Sequence, residues 1–104
     1  ESIRERVMKA RTIQSERFKH FKGVYSNAQM SERMIHQFAE PDQAGVDMLR
    51  MAMEKLSLSA RAYNRILKVA RTIADLESCE HVLSNHLAEA ISYRNLDRGD
   101  WAER

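Results

Sequence analysis

Two arginines, Arg61 and Arg65, are the side chains best placed to do chemistry. They stand one helical turn apart at the start of a long stretch of helical periodicity. Ser59 lies two residues before Arg61, where its hydroxyl can cap a helix, and this puts Arg61 in the first turn. The N–H groups of a first turn have no partner within the helix and carry the positive end of its dipole, so an anion is favoured there. A guanidinium adds a planar, bidentate grip suited to phosphate. The competing reading leaves Arg61 solvated, with Arg65 either assisting it or pairing with a carboxylate.

Cys79, His81 and His86 form a second cluster of potential ligands. Their C-x-H-x4-H spacing fits no common zinc site, and a fourth ligand would have to come from Glu80 or Glu89. His86, just inside a helix, reads as a surface or capping residue. Cys79 lacks an evident base and a nucleophile signature. The chain has no GxxxxGK[ST] loop and no apolar strand ending in paired carboxylates that would hold magnesium. No catalytic residue and no metal ligand is therefore assigned.

The element that must position Arg61 spans Ser57 to Leu76. At ~100° per residue, Tyr63, Ile66, Leu67, Ala70, Ile73 and Ala74 share one side. Ala62, Val69 and Leu76 widen it. Arg61, Arg65, Lys68, Thr72 and Asp75 lie opposite, as a narrow polar ridge that is basic near its start. The other elements follow from the same periodicity. A basic helix runs from Ser2 to about His20, with Ile3, Val7, Ala10 and Phe18 as its apolar positions. Its Arg and Lys residues read as a solvated face with i,i+4 pairs such as Glu5–Lys9, or else as a face turned to a subunit or to phosphate. Gly23, Ser26 and Asn27 mark a turn, with Val24 and Tyr25 briefly extended. A short helix capped by Ser31 stops before Pro41. Asp42–Leu56 forms the next helix, with a stripe of Met48, Leu49, Ala52 and Leu56 widened by Met53. The methionines here and in the neighbouring helix serve as adaptable core filler. After a link at 79–83, a last helix capped by Ser84 turns Leu87, Ala88 and Ile91 inward and fades around Arg94. A frayed tail follows unless Trp101 finds a partner.

A chain of 104 residues with 43% apolar content supports one small core. Three glycines and one proline leave little punctuation, so long helices and short connections are expected. The formal charge of +2 comes from 17 basic and 15 acidic residues, too balanced to argue for nucleic acid by itself. A single cysteine excludes an internal disulfide and suits a reducing cytoplasm. No apolar run approaches the ~18 residues of a membrane span. The chain opens inside a charged helical pattern, ESIRERVMKAR, as a segment of something longer would.

The stretch LSARAYNRILKVARTIADL, followed by HLAEAISYRNLDR, resembles the C-terminal domain of magnesium-chelatase-like AAA+ ATPases, in their YifB/ComM branch. RERVMKARTIQSERF and NAQMS are similar to further segments of that group. The resemblance covers about Ile3 to Arg98, leaving residues 99–104 as a tail. It implies an all-α lid, a small bundle of about five helices, docked on an ATPase core and on neighbouring subunits of a hexameric ring. In that class a sensor-2 arginine opens a lid helix, and Arg61 in Ser59-Ala60-Arg61-Ala62 matches its position. The implied cofactors are ATP and Mg2+ in the longer protein, with none held by this segment alone. For the ComM branch the implied work is DNA branch migration during uptake and recombination; for chelatase relatives it is metal insertion into a porphyrin. Two rivals stand beside this reading: a helix-turn-helix-like DNA-binding module built from 42–56 and the Arg61 helix, and a purely structural oligomerisation domain.

Overall fold

Short polar side chains start the helices at the positions where the sequence predicts them. In the computed structural model, which describes the backbone of residues 2–103 and the side chains of residues 2–93, Ser2 accepts a hydrogen bond from the Glu5 N–H and opens α1 (Ile3–Phe18). Ser31 accepts from Met34 N–H at α2 (Glu32–Phe38), and Asp42 accepts from Gly45 N–H at α3 (Gln43–Leu56). Ser59 accepts from Ala62 N–H at α4 (Ala60–Leu76). Each bond satisfies one of the orphan donors that a helix start leaves open. The last helix, α5, spans Ser84–Glu103. Its first bonds run to the Leu83 carbonyl, so Leu83 holds the cap position and Ser84 already lies inside the helix, which starts one residue earlier than expected. Its backbone continues past the expected end near Arg94. A partner for Trp101 lies outside the described side chains.

Among the described residues the fold is all-α, five helices with a 3-10 turn at Asn27–Gln29, where Ser26 and Asn27 mark a turn in the sequence. α4 is the axis. Its Ile66, Leu67, Ala70, Ile73 and Ala74 are buried, and α1, α2 and α5 pack around it. α3 leans on α5 through Leu49 and Leu87, both fully buried. Phe18, Phe21 and Phe38 stack edge to face at 5.7 to 6.3 Å between centroids and close one end of the core.

α3 and α4 end alike. Ser57 and Ser78 take left-handed conformations, with φ of 53° and 55°. Leu58 N–H then reaches back to the Met53 carbonyl, and Cys79 N–H to the Ala74 carbonyl. Both are Schellman endings in which serine occupies the place usually held by glycine.

The sequence reading needs correction at four apolar positions. Ile3, Met51 and Val69 are exposed, at 79%, 68% and 39%, and Ala88 is exposed while Ala90 is buried. Ile3 lies in the first turn of α1, and Met51 and Ala88 fall on the outer sides of α3 and α5. Gly45 shows the opposite constraint. A Cβ there would stand 2.8 Å from Pro41 Cβ and 2.9 Å from Leu87 Cδ1. We expect Gly45→Ala to destabilise the bundle by about 1–3 kcal/mol through overpacking, although alanine is the better helix former. A thermal melt followed by circular dichroism checks this, and an unchanged or higher Tm would refute it.

Candidate functional site

The ridge of α4 is wet only along its first half. Arg61 and Arg65 are exposed and make no ion pair or side-chain hydrogen bond among the described residues. Beneath Arg61 the cap is incomplete. Ser59 takes the Ala62 N–H through its hydroxyl and the Tyr63 N–H through its carbonyl, while the N–H groups of Ala60 and Arg61 find no acceptor among the described residues. Two backbone donors and one guanidinium therefore lie together in the first turn of α4. One turn on, Arg65 joins Ala28, Lys68, Val69 and Thr72 around a shallow groove of about 370 Å³. Lys68 crosses this groove to donate its Nζ to the Ala28 carbonyl.

The second half of the ridge is sealed. Thr72 and Asp75, read from the sequence as part of the polar edge, turn inward to the segment joining α1 and α2. Asp75 is fully buried. Arg17 of α1 grips its carboxylate with two bonds of 2.7 and 2.8 Å, Asn27 donates at 2.9 Å, and Arg71 approaches at 3.1 Å. Asn27 also donates to the Thr72 hydroxyl, which in turn donates to the Lys68 carbonyl. Sequence reasoning missed this cluster because Arg17 and Asp75 are 58 residues apart. The one available signal was Arg71, a charge at the border of the apolar side of α4, between Leu67 and Asp75.

Arg71 binds chain ends. Its Nη1 donates to the carbonyls of Phe38 and Glu80, and its Nη2 to that of Cys79. Burial pushes the guanidinium below its ordinary pKa, and the neighbouring Asp75 carboxylate opposes this. Its Nε is buried without a partner. A cleft of about 240 Å³ opens beside it, lined among others by Arg17, Glu40, Arg71 and Glu80. The two glutamates at this cleft disfavour an anion, so the cluster is built for packing rather than for a ligand.

Cys79, His81 and His86 do not converge. No group of three His, Cys, Asp or Glu side chains able to hold a metal occurs among the described residues. The Cys79 thiol donates to the His81 carbonyl, and His81 is exposed. His86 is buried at 1% exposure, against the surface position expected, because it bridges two chain segments. Its Nδ1 accepts from Leu83 N–H and its Nε2 faces Glu77 Oε1 at 2.9 Å. The Nδ1 contact fixes the proton on Nε2. His86 thus retains the capping part of its expected role.

The helix-turn-helix arrangement has little surface to offer. α4 carries a core face along its whole length, and Lys68 and Thr72 are tied to Ala28 and Asn27, leaving chiefly its first two turns free of neighbours. Among the described residues no helix is long and apolar enough to cross a membrane.

Comparison with known proteins sets this geometry in context. A family model for the magnesium chelatase subunit ChlI C-terminal domain matches residues 1–94. The chain is 42% identical over 96 residues to competence protein ComM of Haemophilus influenzae, covering 92% of this chain and 18% of that protein. It is 38% identical over 97 residues to the uncharacterized protein YifB of Escherichia coli, covering 93% and 18%. An uncharacterized protein of Mycobacterium tuberculosis is 32% identical over 92 residues, covering 88% and 18%. The chain therefore spans less than a fifth of the length of the curated relatives it matches.

Proposed function

From the premise that this chain belongs to the magnesium chelatase ChlI C-terminal family, on its ComM/YifB branch, we propose that it is the helical lid of a longer AAA+ ATPase and that Arg61 senses bound nucleotide there. The observation that carries this reading is the first turn of α4. An exposed guanidinium and two backbone N–H groups, none with a partner among the described residues, share that turn. That set suits the terminal phosphates of ATP, which would be held between this lid and another domain. Arg65, one turn along, supplies a second cation. The described residues offer no carboxylate cluster for Mg2+, so the metal would be held by the rest of the ATPase. Bound nucleotide supplies the hydrolysable phosphate, while this chain's own residues bind and orient its charge. ATPase core, neighbouring subunits of a hexamer, a cytoplasmic location and work on DNA all belong to this proposal. The similarity to a Haemophilus competence protein supports DNA over porphyrin metal insertion.

The test is Arg61→Ala in the longer protein. A charge-assisted contact contributes about 1.5–3 kcal/mol, so ATP turnover or nucleotide affinity falls about 10- to 100-fold with the melting curve unchanged. Arg61→Lys should recover part of the loss. Wild-type ATPase rates in Arg61→Ala would reject the sensor role.

A further inference from the structure

The balanced overall charge conceals two helix faces of opposite sign. α1 turns Ala10 and Phe18 inward, and α3 turns Gly45 and Leu49 inward. Each leaves a large apolar side chain outside, Met8 at 58% exposure and Met51 at 68%. Both methionines stand between two charges at the same spacing. On α1 the triplet is Arg4, Met8, Arg11; on α3 it is Asp47, Met51, Glu54. At ~100° per residue each triplet falls within an arc of about 60°. The α1 arc contains no acidic residue and the α3 arc no basic one, since Arg50 and Lys55 lie outside it on either side. All six side chains are exposed.

These charges are little used within the chain. Arg4, Arg11 and Glu54 make no ion pair or side-chain hydrogen bond among the described residues. Asp47 accepts one bond at 2.9 Å, from the Gln43 amide, which leaves its other oxygen open. In both triplets the outer charges are seven residues apart, about 10 Å along the helix. Laid parallel, the two faces set Arg4 against Asp47, Met8 against Met51, and Arg11 against Glu54. Antiparallel, the charges exchange partners and the methionines shift by a single residue.

We propose that the outer face of α1 docks on the outer face of α3 in a second copy of this chain. An unrelated acidic segment would serve α1 alone, and an unrelated basic one α3 alone. A second copy uses both, at matching spacing. Pairing α1 with α1, or α3 with α3, would set like charges together. The contact is therefore head to tail, and repetition leads to an open chain or a closed ring rather than to a symmetric dimer. Thioethers adapt readily to one another, and the arginine stems extend the apolar contact beside them. One helix-on-helix contact buries less than the ~1,200 Å² of a stable pair, so each step is weak, with Kd of about 0.1–1 mM. The contact needs neither nucleotide nor another domain, so it does not rest on the sensor reading.

The test measures translational diffusion of this chain by NMR between about 0.05 and 1 mM. At low salt the wild type should slow with concentration. High salt, about 0.5 M, should return it toward the monomer value, because the Debye length is then roughly 4 Å. Arg4→Glu with Arg11→Glu should weaken association at least about 10-fold, and Asp47→Lys with Glu54→Lys should do the same. The chain carrying all four substitutions keeps the net charge of +2 and should associate as wild type. That rescue separates a contact between these faces from an effect of net charge or of misfolding. Met8→Ser with Met51→Ser should weaken association about 5- to 10-fold while its salt dependence persists. Arg61→Ala should associate as wild type, so this reading and the sensor reading fail separately. Three results would overturn the proposal: a wild type that stays monomeric at low salt, a double charge variant that associates normally, or a fourfold variant that does not recover. A monomeric chain that instead binds poly-lysine or poly-glutamate would assign the faces to other proteins and would equally overturn it.

Discussion

Asp75→Ala abolishes the cooperative thermal transition of this domain or lowers its stability by about 3–5 kcal/mol. The carboxylate is fully buried and receives Arg17, Asn27 and Arg71. Its removal leaves two guanidiniums, 11% and 4% exposed, facing each other without the charge that separates them. Breaking one partner out of a buried ionic set is far more costly than exchanging the whole set for apolar groups. A domain of this size has only about 5–15 kcal/mol to lose. Urea unfolding followed by circular dichroism measures the effect. A loss below about 1 kcal/mol would mean that the cluster contributes packing alone.

Arg71→Met carries the second large effect, about 4 kcal/mol, although methionine fits the apolar side of α4 well. Arg71 donates to the carbonyls of Phe38, Cys79 and Glu80, which belong to two separate chain segments. Methionine leaves three carbonyls without their donor, and each orphaned acceptor costs about 1–3 kcal/mol before relaxation. Arg17→Met is the control. Arg17 is joined to Asn27 and Asp75 by side-chain bonds alone, so its loss leaves no stranded backbone group, and Arg71 and Asn27 still hold the Asp75 carboxylate. The same urea titration should rank Arg71→Met as the more damaging of the two, and the reverse order would refute this account.

Helix positions were legible in the sequence because they depend on neighbours along the chain. Ser31, Asp42 and Ser59 each sit three residues from the donor they cap, and Pro41 limits α2 from a similar distance. The apolar set of α4 was legible for the same reason, since one period covers it. Other features depend on residues remote in sequence. Asp75 belongs by periodicity to the wet edge of α4, yet it is buried because α1 delivers Arg17 to it. His86 looks like a surface residue until Glu77 and Leu83 close around its ring. Ser57 and Ser78 carry no glycine signal, so their left-handed turns were not apparent. Arg61 could be picked out as a candidate because the proposed phosphate contact needs only a helix start and a charge.

One consequence of the sealed end of α4 concerns movement. Asp75 and Arg71 lock the far end of that helix to α1, to the Asn27 turn, to the end of α2 and to the link before α5. The helix cannot roll or slide by itself without tearing several buried bonds at once. A displacement at Arg61 must therefore carry its neighbours with it, so under the proposed sensor role the bundle would act as a stiff lever with that guanidinium as its handle.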